Sequence, residues 1–251
     1  MNNDSIMVSC GSVLMRDALP SLVHFFGPDG AGKSTHVDIL IDTLREREPR
    51  VRKIWLRSPH TFAFLLWRLF VRIGFFRTVT NPFGDSIKLP AVNRKRSLRV
   101  FWSLMEFFSV LPLIMRIRFS MSRGYKCIAE RFILDTVTTI AYFVDDPGFL
   151  RSRISRVLYL FIPRDTVFIF LDSDFGTVFK RRANLRGLDS SQQKTRDYGT
   201  LPKSAVEPQS FINFQRMSYK ILAKSFNALE IDTSERSIEQ TSREILEYLD
   251  Q

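Results

Sequence analysis

The sequence predicts an α/β protein of three layers, with a mostly parallel five-stranded sheet in the middle and helices on both faces. Three observations predict it. Short apolar runs alternate with longer stretches of helical period, each run is bounded by polar residues, and the first run opens through a glycine-rich turn directly onto a helix. At 251 residues the chain suits one domain with a substantial core and is short for two.

The elements follow in chain order. Leu22–Phe26 is a short apolar run, and Val37, Leu40, Ile41 and Leu44 after it recur at helical spacing, giving strand, loop and helix. Residues 53–56, 126–129, 166–171 and 228–231 read as the other four strands, because each is brief, apolar and followed by a helical pattern. Helices are expected at 60–73, 93–121, 134–143, 175–184, 209–226 and 237–249; in the last, Ile238, Thr241, Ile245, Leu246 and Leu249 form one stripe. Residues 1–20 carry little periodicity and read as a flexible extension preceding a domain over 21–251. Residues 186–208 are polar, with Gly187, Gly199, Pro202 and Pro208, and read as a long excursion.

The glycine-rich turn carries chemistry. Gly27, Pro28, Asp29, Gly30, Ala31, Gly32, Lys33 and Ser34 match G-x-x-x-x-G-K-[ST] at every fixed position, in the strand-to-helix setting that a P-loop requires. Glycines let the backbone curl with its N–H groups inward, and the helix adds its positive end to an anion nest. Lys33 is placed to reach the outer phosphates of ATP, Ser34 to offer a hydroxyl to Mg2+, and Thr35 to support the loop and the α-phosphate. The chain is therefore expected to be a P-loop phosphotransferase.

Further signals separate a kinase from other P-loop proteins. No N-K-x-D guanine-reading sequence is present, and Asp172 is followed by Ser173 rather than by the Glu that activates water in many ATPases. Glu130-Arg131-Phe132 ends an apolar run, where an open α/β sheet places its ligand crevice; Glu130 suits a magnesium-bound water and Arg131 a phosphate. Lys180, Arg181, Arg182 and Arg186 lead into the polar excursion, as cations on a closing lid would, and the lid is set at 181–208.

A net charge of +11, a pI near 10.0 and 23 Phe point to polyanionic partners and much aromatic surface. No zinc finger, RNA-binding sheet signature or repeat supports specific nucleic-acid binding. Cys10 and Cys127 lack metal-ligand spacing, and Cys127 inside an apolar run reads as a buried free thiol. The apolar stretch 100–115 is shorter than a spanning helix and holds Glu106, and 62–76 is interrupted by Arg68 and Arg72, so no transmembrane span is expected. The aromatic, cationic stretches 62–76 and 100–119, with Arg68, Arg72, Arg116 and Arg118, lie within acceptor-side helices at 60–121 and read either as core plus the interface of a homodimer or as a peripheral membrane contact.

The sequence resembles the thymidylate kinase family and its archaeal-type relatives over residues 22–249. The similar pieces are F-F-G-P-D-G-A-G-K-S-T-H at 25–36, L-R-S-P-H-T at 56–61, A-E-R-F-I-L-D-T at 129–136, R-A-N-L-R-G at 182–187 and E-I-D-T at 230–233. The resemblance implies a cytoplasmic enzyme using ATP and Mg2+ to convert dTMP to dTDP. It implies that Asp29 touches the acceptor sugar and pairs with Arg131, and that Arg57 and one of Arg94, Arg96 and Arg99, taken here as Arg99, hold the acceptor phosphate. Arg182 and Arg186 would supply the transition-state cation, and the loop after Ile231 would lie beside adenine. The chain departs from the family pattern at Phe26, where many relatives have Glu, at Arg57-Ser58-Pro59 for R-E-P, and at Glu130-Arg131-Phe132 for Asp-Arg-Tyr. A different phosphorylated or lipid-linked acceptor, and a non-catalytic nucleotide-binding module, therefore stay open beside the dTMP reading.

Overall fold

The computed structural model describes residues 19–45, 48–56, 58, 61–80, 86–189 and 208–250, with the backbone alone at 182 and 184–189. The chain runs β1 (Leu22–Phe26), α1 (Lys33–Arg45), β2 (Val51–Trp55), α2 (Thr61–Arg72), β3 (Phe76–Thr80), β4 (Ser86–Pro90), α3 (Arg96–Ser122), β5 (Lys126–Arg131) and α4 (Ile133–Val144). It continues with α5 (Arg153–Tyr159), β6 (Val167–Asp172), α6 (Phe175–Asp189), α7 (Gln209–Ser225), β7 (Leu229–Asp232) and α8 (Ile238–Leu249).

Five strands form one parallel sheet in the order β2-β5-β1-β6-β7. Both faces are covered, which is why the central strands are apolar almost throughout instead of alternating. On β1, Val23 and Phe25 point into the layer with Val37, Leu40, Ile41 and Leu44 of α1 and Ile245 and Leu249 of α8. Leu22 and Phe26 point the other way, into the larger core built by Trp102 of α3, Val137 and Ile140 of α4 and Tyr219 of α7. The predicted stripe of α1 is thus the buried one, and α8 is capped as its sequence suggests, with Ser237 and Gln240 bonding each other's backbone N–H. Ile238 of the expected α8 stripe stands half exposed in the first turn.

The five-stranded sheet and its flanking helices are as the sequence predicts. Three expectations need correction. The stretch 60–121 is not helical alone: β3 and β4 pair antiparallel as a separate hairpin between α2 and α3, register Phe76 to Pro90 through Thr80 to Ser86. Residues 93–95 belong to a short 3-10 turn and a helix cap, and α3 starts at Arg96. The helix α6 runs to Asp189, beyond its expected end at 184, so the first part of the stretch assigned to the lid is helical, while 190–207 lie outside the described residues. α5 was not foreseen; Ser152 caps it, accepting from Ser155 N at 3.1 Å.

Candidate functional site: the phosphate loop and the strand tips around it

The loop 27–32 lies between the end of β1 and the start of α1. Gly27 has φ +148°, and a Cβ there would stand 2.0 Å from the carbonyl oxygen of Leu171 on β6, so only glycine lets these two strands lie side by side at this point. Gly30 has φ +94°, and its Cβ would meet Val178 of α6 at 2.8 Å, which packs the turn under that helix. The first turn of α1 holds no acid, and Ser34 and Thr35 are exposed at its start, so the positive helix end opens to solvent.

Buried behind this mouth is a chain of charges. The Lys33 ammonium, 4% exposed, donates to the carbonyls of Gly27 at 2.8 Å and Pro28 at 2.7 Å and lies 3.8 Å from Asp29 Oδ1. Asp29 also pairs with the Arg131 guanidinium at the tip of β5. Arg131 in turn stands 3.8 Å from Asp135 on α4. Asp135 accepts from Phe132 N at 3.2 Å and from the Tyr219 hydroxyl of α7 at 2.9 Å, and lies 3.2 Å from His24 Nε2 of β1. Burial alone would raise Asp135, but the His24 hydrogen bond and the Arg131 charge outweigh it and hold the carboxyl below its usual range. Where the resemblance expects Glu, Phe26 instead stacks on Phe170 and meets Tyr219 edge-on.

Ser34 donates to Glu130 at the end of β5, and Lys53 of β2 sits 3.2 Å from Glu130 and 2.7 Å from Asp38. Burial pulls Lys53 down, yet its bonds to Asp38 and Glu130 prevail and raise it. A hydroxyl and a carboxylate meeting at the helix mouth are oxygen donors of the kind Mg2+ takes, so Ser34 and Glu130 fit that ion. No cluster of three or more His, Cys, Asp or Glu side chains suited to a metal occurs among the described residues.

One carboxylate and two cations on other elements were not singled out by the sequence as partners. Arg216 of α7 forks onto Asp172 at the tip of β6, Nε to Oδ1 at 2.7 Å and the terminal nitrogen to Oδ2 at 2.8 Å, and Lys220 adds a third cation at 3.3 Å. Burial would raise Asp172; the Arg216 fork and Lys220 hold it low instead. The Arg216 and Lys220 spacing of one helical turn was the available signal. From the predicted basic run, Arg181 is already engaged. It donates to the carbonyl of Gly30 at 3.2 Å and to that of Thr233 at 2.5 Å, while Thr233 Oγ1 donates to Ala31 O. The loop after β7 is thereby fastened to the phosphate loop.

The remaining expected residues are more scattered. Arg182 and Arg186 lie on α6, with side chains outside the described set, and Arg57 lies outside the described residues altogether. Arg99 stands in the first turn of α3, its Nε donating to the Asn93 carbonyl at 3.1 Å, and Arg94 lies over the Phe75 ring. Ser58, next to Arg57, donates to Glu106 of α3 at 2.5 Å, and Glu106 is fully buried, with its acid form favoured up to a pKa of about 8 by desolvation. His36, beneath Gly32, is lowered to about 4 by burial and by Arg181, so it stays neutral at pH 7. Cys127 is a buried free thiol, pushed up to about 11 by desolvation.

No family model and no curated protein matches the chain. Solved structures do. The thymidylate kinase from Candida albicans, described for its broad substrate specificity, is 16% identical over 93% of this chain and 92% of its own, with a TM-score of 0.53. The thymidylate kinase from Ehrlichia chaffeensis is 16% identical over 92% of this chain and 98% of its own, with a TM-score of 0.51. At that identity the likeness carries the architecture: the chain has the P-loop fold of thymidylate kinases over nearly its whole length.

Proposed function

We propose that this chain is an ATP-dependent nucleoside monophosphate kinase that turns dTMP and ATP into dTDP and ADP by in-line phosphoryl transfer in the cytoplasm. One observation carries the reading: Asp29 of the phosphate loop is paired with Arg131 on the neighbouring strand tip, so the donor cradle and an acceptor-phosphate cation are built as one unit. In this reading the N–H groups of residues 27–35 hold the ATP phosphates. Lys33 leaves the Gly27 and Pro28 carbonyls to take an outer phosphate oxygen, trading two neutral acceptors for a charged one. Arg131, with Arg57 and Arg99, holds the acceptor phosphate, and Asp29 its sugar. Arg182 and Arg186 stabilise charge spread over the transferring group. Ser34 and Glu130 would hold Mg2+, which would supply neutralisation of the phosphate charge. The acceptor phosphate is already ionised, so positioning and electrostatics suffice and no general base is assigned.

A second reading rests on a specific observation. Ser58 and the buried Glu106 occupy the acceptor side where the resemblance expects R-E-P, and Phe26 replaces a Glu, which favours a changed acceptor pocket that takes another phosphorylated or lipid-linked compound. ADP release from the purified chain with dTMP, dUMP, UMP, CMP and AMP tests the first reading. Turnover highest with dTMP is expected, and Lys33→Ala lowers it roughly 100-fold or more. Turnover with none of the five, beside intact ATP binding, contradicts it and leaves the changed acceptor and the non-catalytic nucleotide-binding module. A homodimer and a membrane contact compete for the same exposed face of α2 and α3.

A further inference from the structure

We propose that the exposed face of α2 and α3 docks on an anionic lipid surface. The two helices pack on each other, with Ala63 N donating to Ser109 Oγ and the Phe70 and Trp102 rings in contact, and their inner sides enter the main core. Their outer sides are apolar as well. Phe62, Leu65 and Leu69 on α2 and Phe101, Leu104 and Phe108 on α3 recur at three- and four-residue spacing, and each is at least 39% exposed. Met115 and Phe119 extend the α3 stripe by about three more turns. A contiguous stripe of this kind is unfavourable in water and marks a covered surface.

Charge decides what covers it. Exposed Arg68 and Arg72 on α2 and Arg116 and Arg118 on α3 fall, at 100° per residue, beside the apolar stripes and not within them. Long cationic side chains in that position reach phosphate groups while their stems lie along the apolar boundary. Neither helix offers a carboxylate in return: α2 has none, and the one acid of α3, Glu106, is fully buried. A second copy docking by two-fold symmetry would set this face against itself, cation toward cation, with no acid on the helices to neutralise them. Lipid phosphates supply the missing charge, and the net +11 of the chain adds long-range attraction.

The helices lie along the surface and do not cross it. By length and composition alone α3 passes for a spanning segment, with 27 residues and a window of mean hydropathy 1.6, longer than the apolar stretch recognised in the sequence. Trp102, Glu106, Val110 and Ile114 on its inner side are built into the core, and drawing α3 into hydrocarbon would tear them out. An amphipathic helix resting at headgroup depth keeps both faces covered.

Sedimentation of the full chain with vesicles of phosphatidylcholine alone or enriched in phosphatidylglycerol, beside light scattering without lipid, tests this. The chain is expected to bind the anionic vesicles roughly tenfold more tightly or better, and the double substitution Arg116→Glu and Arg118→Glu to lose at least about tenfold of that. The pair Arg45→Glu and Arg243→Glu makes the same charge change on α1 and α8, across the sheet, and should cost less than about threefold. Equal losses from both pairs would reduce the effect to net charge and overturn the assignment, as would equal binding to neutral vesicles or none to either. A stable dimer that Leu104→Ser with Phe108→Ser splits, and that ignores vesicles, would give the face to a second copy.

Discussion

Glu106 shows how one residue can load a fold with pH dependence. Its carboxyl is fully buried, accepts from Ser58, and has a pKa of about 8 against an ordinary 4.5. Between those two pH values the unfolded chain has released a proton that the folded chain still holds, so this group makes stability fall as pH rises, with the loss complete above about 8. Glu106→Gln keeps the size and one acceptor without the titration. Thermal unfolding from pH 5 to pH 9 should therefore show a flatter curve for the variant, with its gain over the parent largest at the alkaline end. Parallel curves would mean that Glu106 is ionised in place. The residues of the phosphate loop were legible because their spacing is local and chemically determined. Asp135, His24 and Tyr219 were not, because their contacts span 111 and 84 residues of sequence and no period encodes them.

Elements were legible where burial imposes one pattern. The three central strands β1, β5 and β6 are covered on both faces and so stand out as apolar runs, whereas the edge strands β2 and β7 are partly exposed, and α1 and α8 have one covered face each. The hairpin β3–β4 was missed because its strands mix Arg77, Thr78, Lys88 and Pro90 with few apolar residues, although Asn81-Pro82-Phe83-Gly84-Asp85 between them is rich in turn formers. The layer of α2, α3 and α4 is held by aromatic contacts: Trp102 of α3, with no exposed surface, touches Phe70 of α2 and Phe143 of α4. Trp102→Ala should cost about 3–5 kcal/mol in urea unfolding, and Trp102→Phe markedly less, since the phenyl ring retains most of the packing. A loss under about 1 kcal/mol for the alanine variant would show that this layer contributes little to folding.

At the scale of the molecule, every strand of the main sheet except β2 ends beside the phosphate loop: Gly27 follows β1, Arg131 on β5 pairs with Asp29, Leu171 of β6 abuts Gly27, and Thr233 after β7 donates to Ala31. That convergence follows from parallel topology, which brings the carboxyl ends of the strands to one edge. It was foreseeable from the alternation of strands and helices, whereas the pairing of Ser58 with the buried Glu106 of α3, 48 residues away, follows no sequence period. The anion nest is the premise for the whole functional reading. Titration calorimetry of the full chain with ATP and magnesium tests it most directly. Saturable one-site heat that disappears in Lys33→Ala is the result expected; a chain that is folded and gives no heat on adding ATP would contradict it.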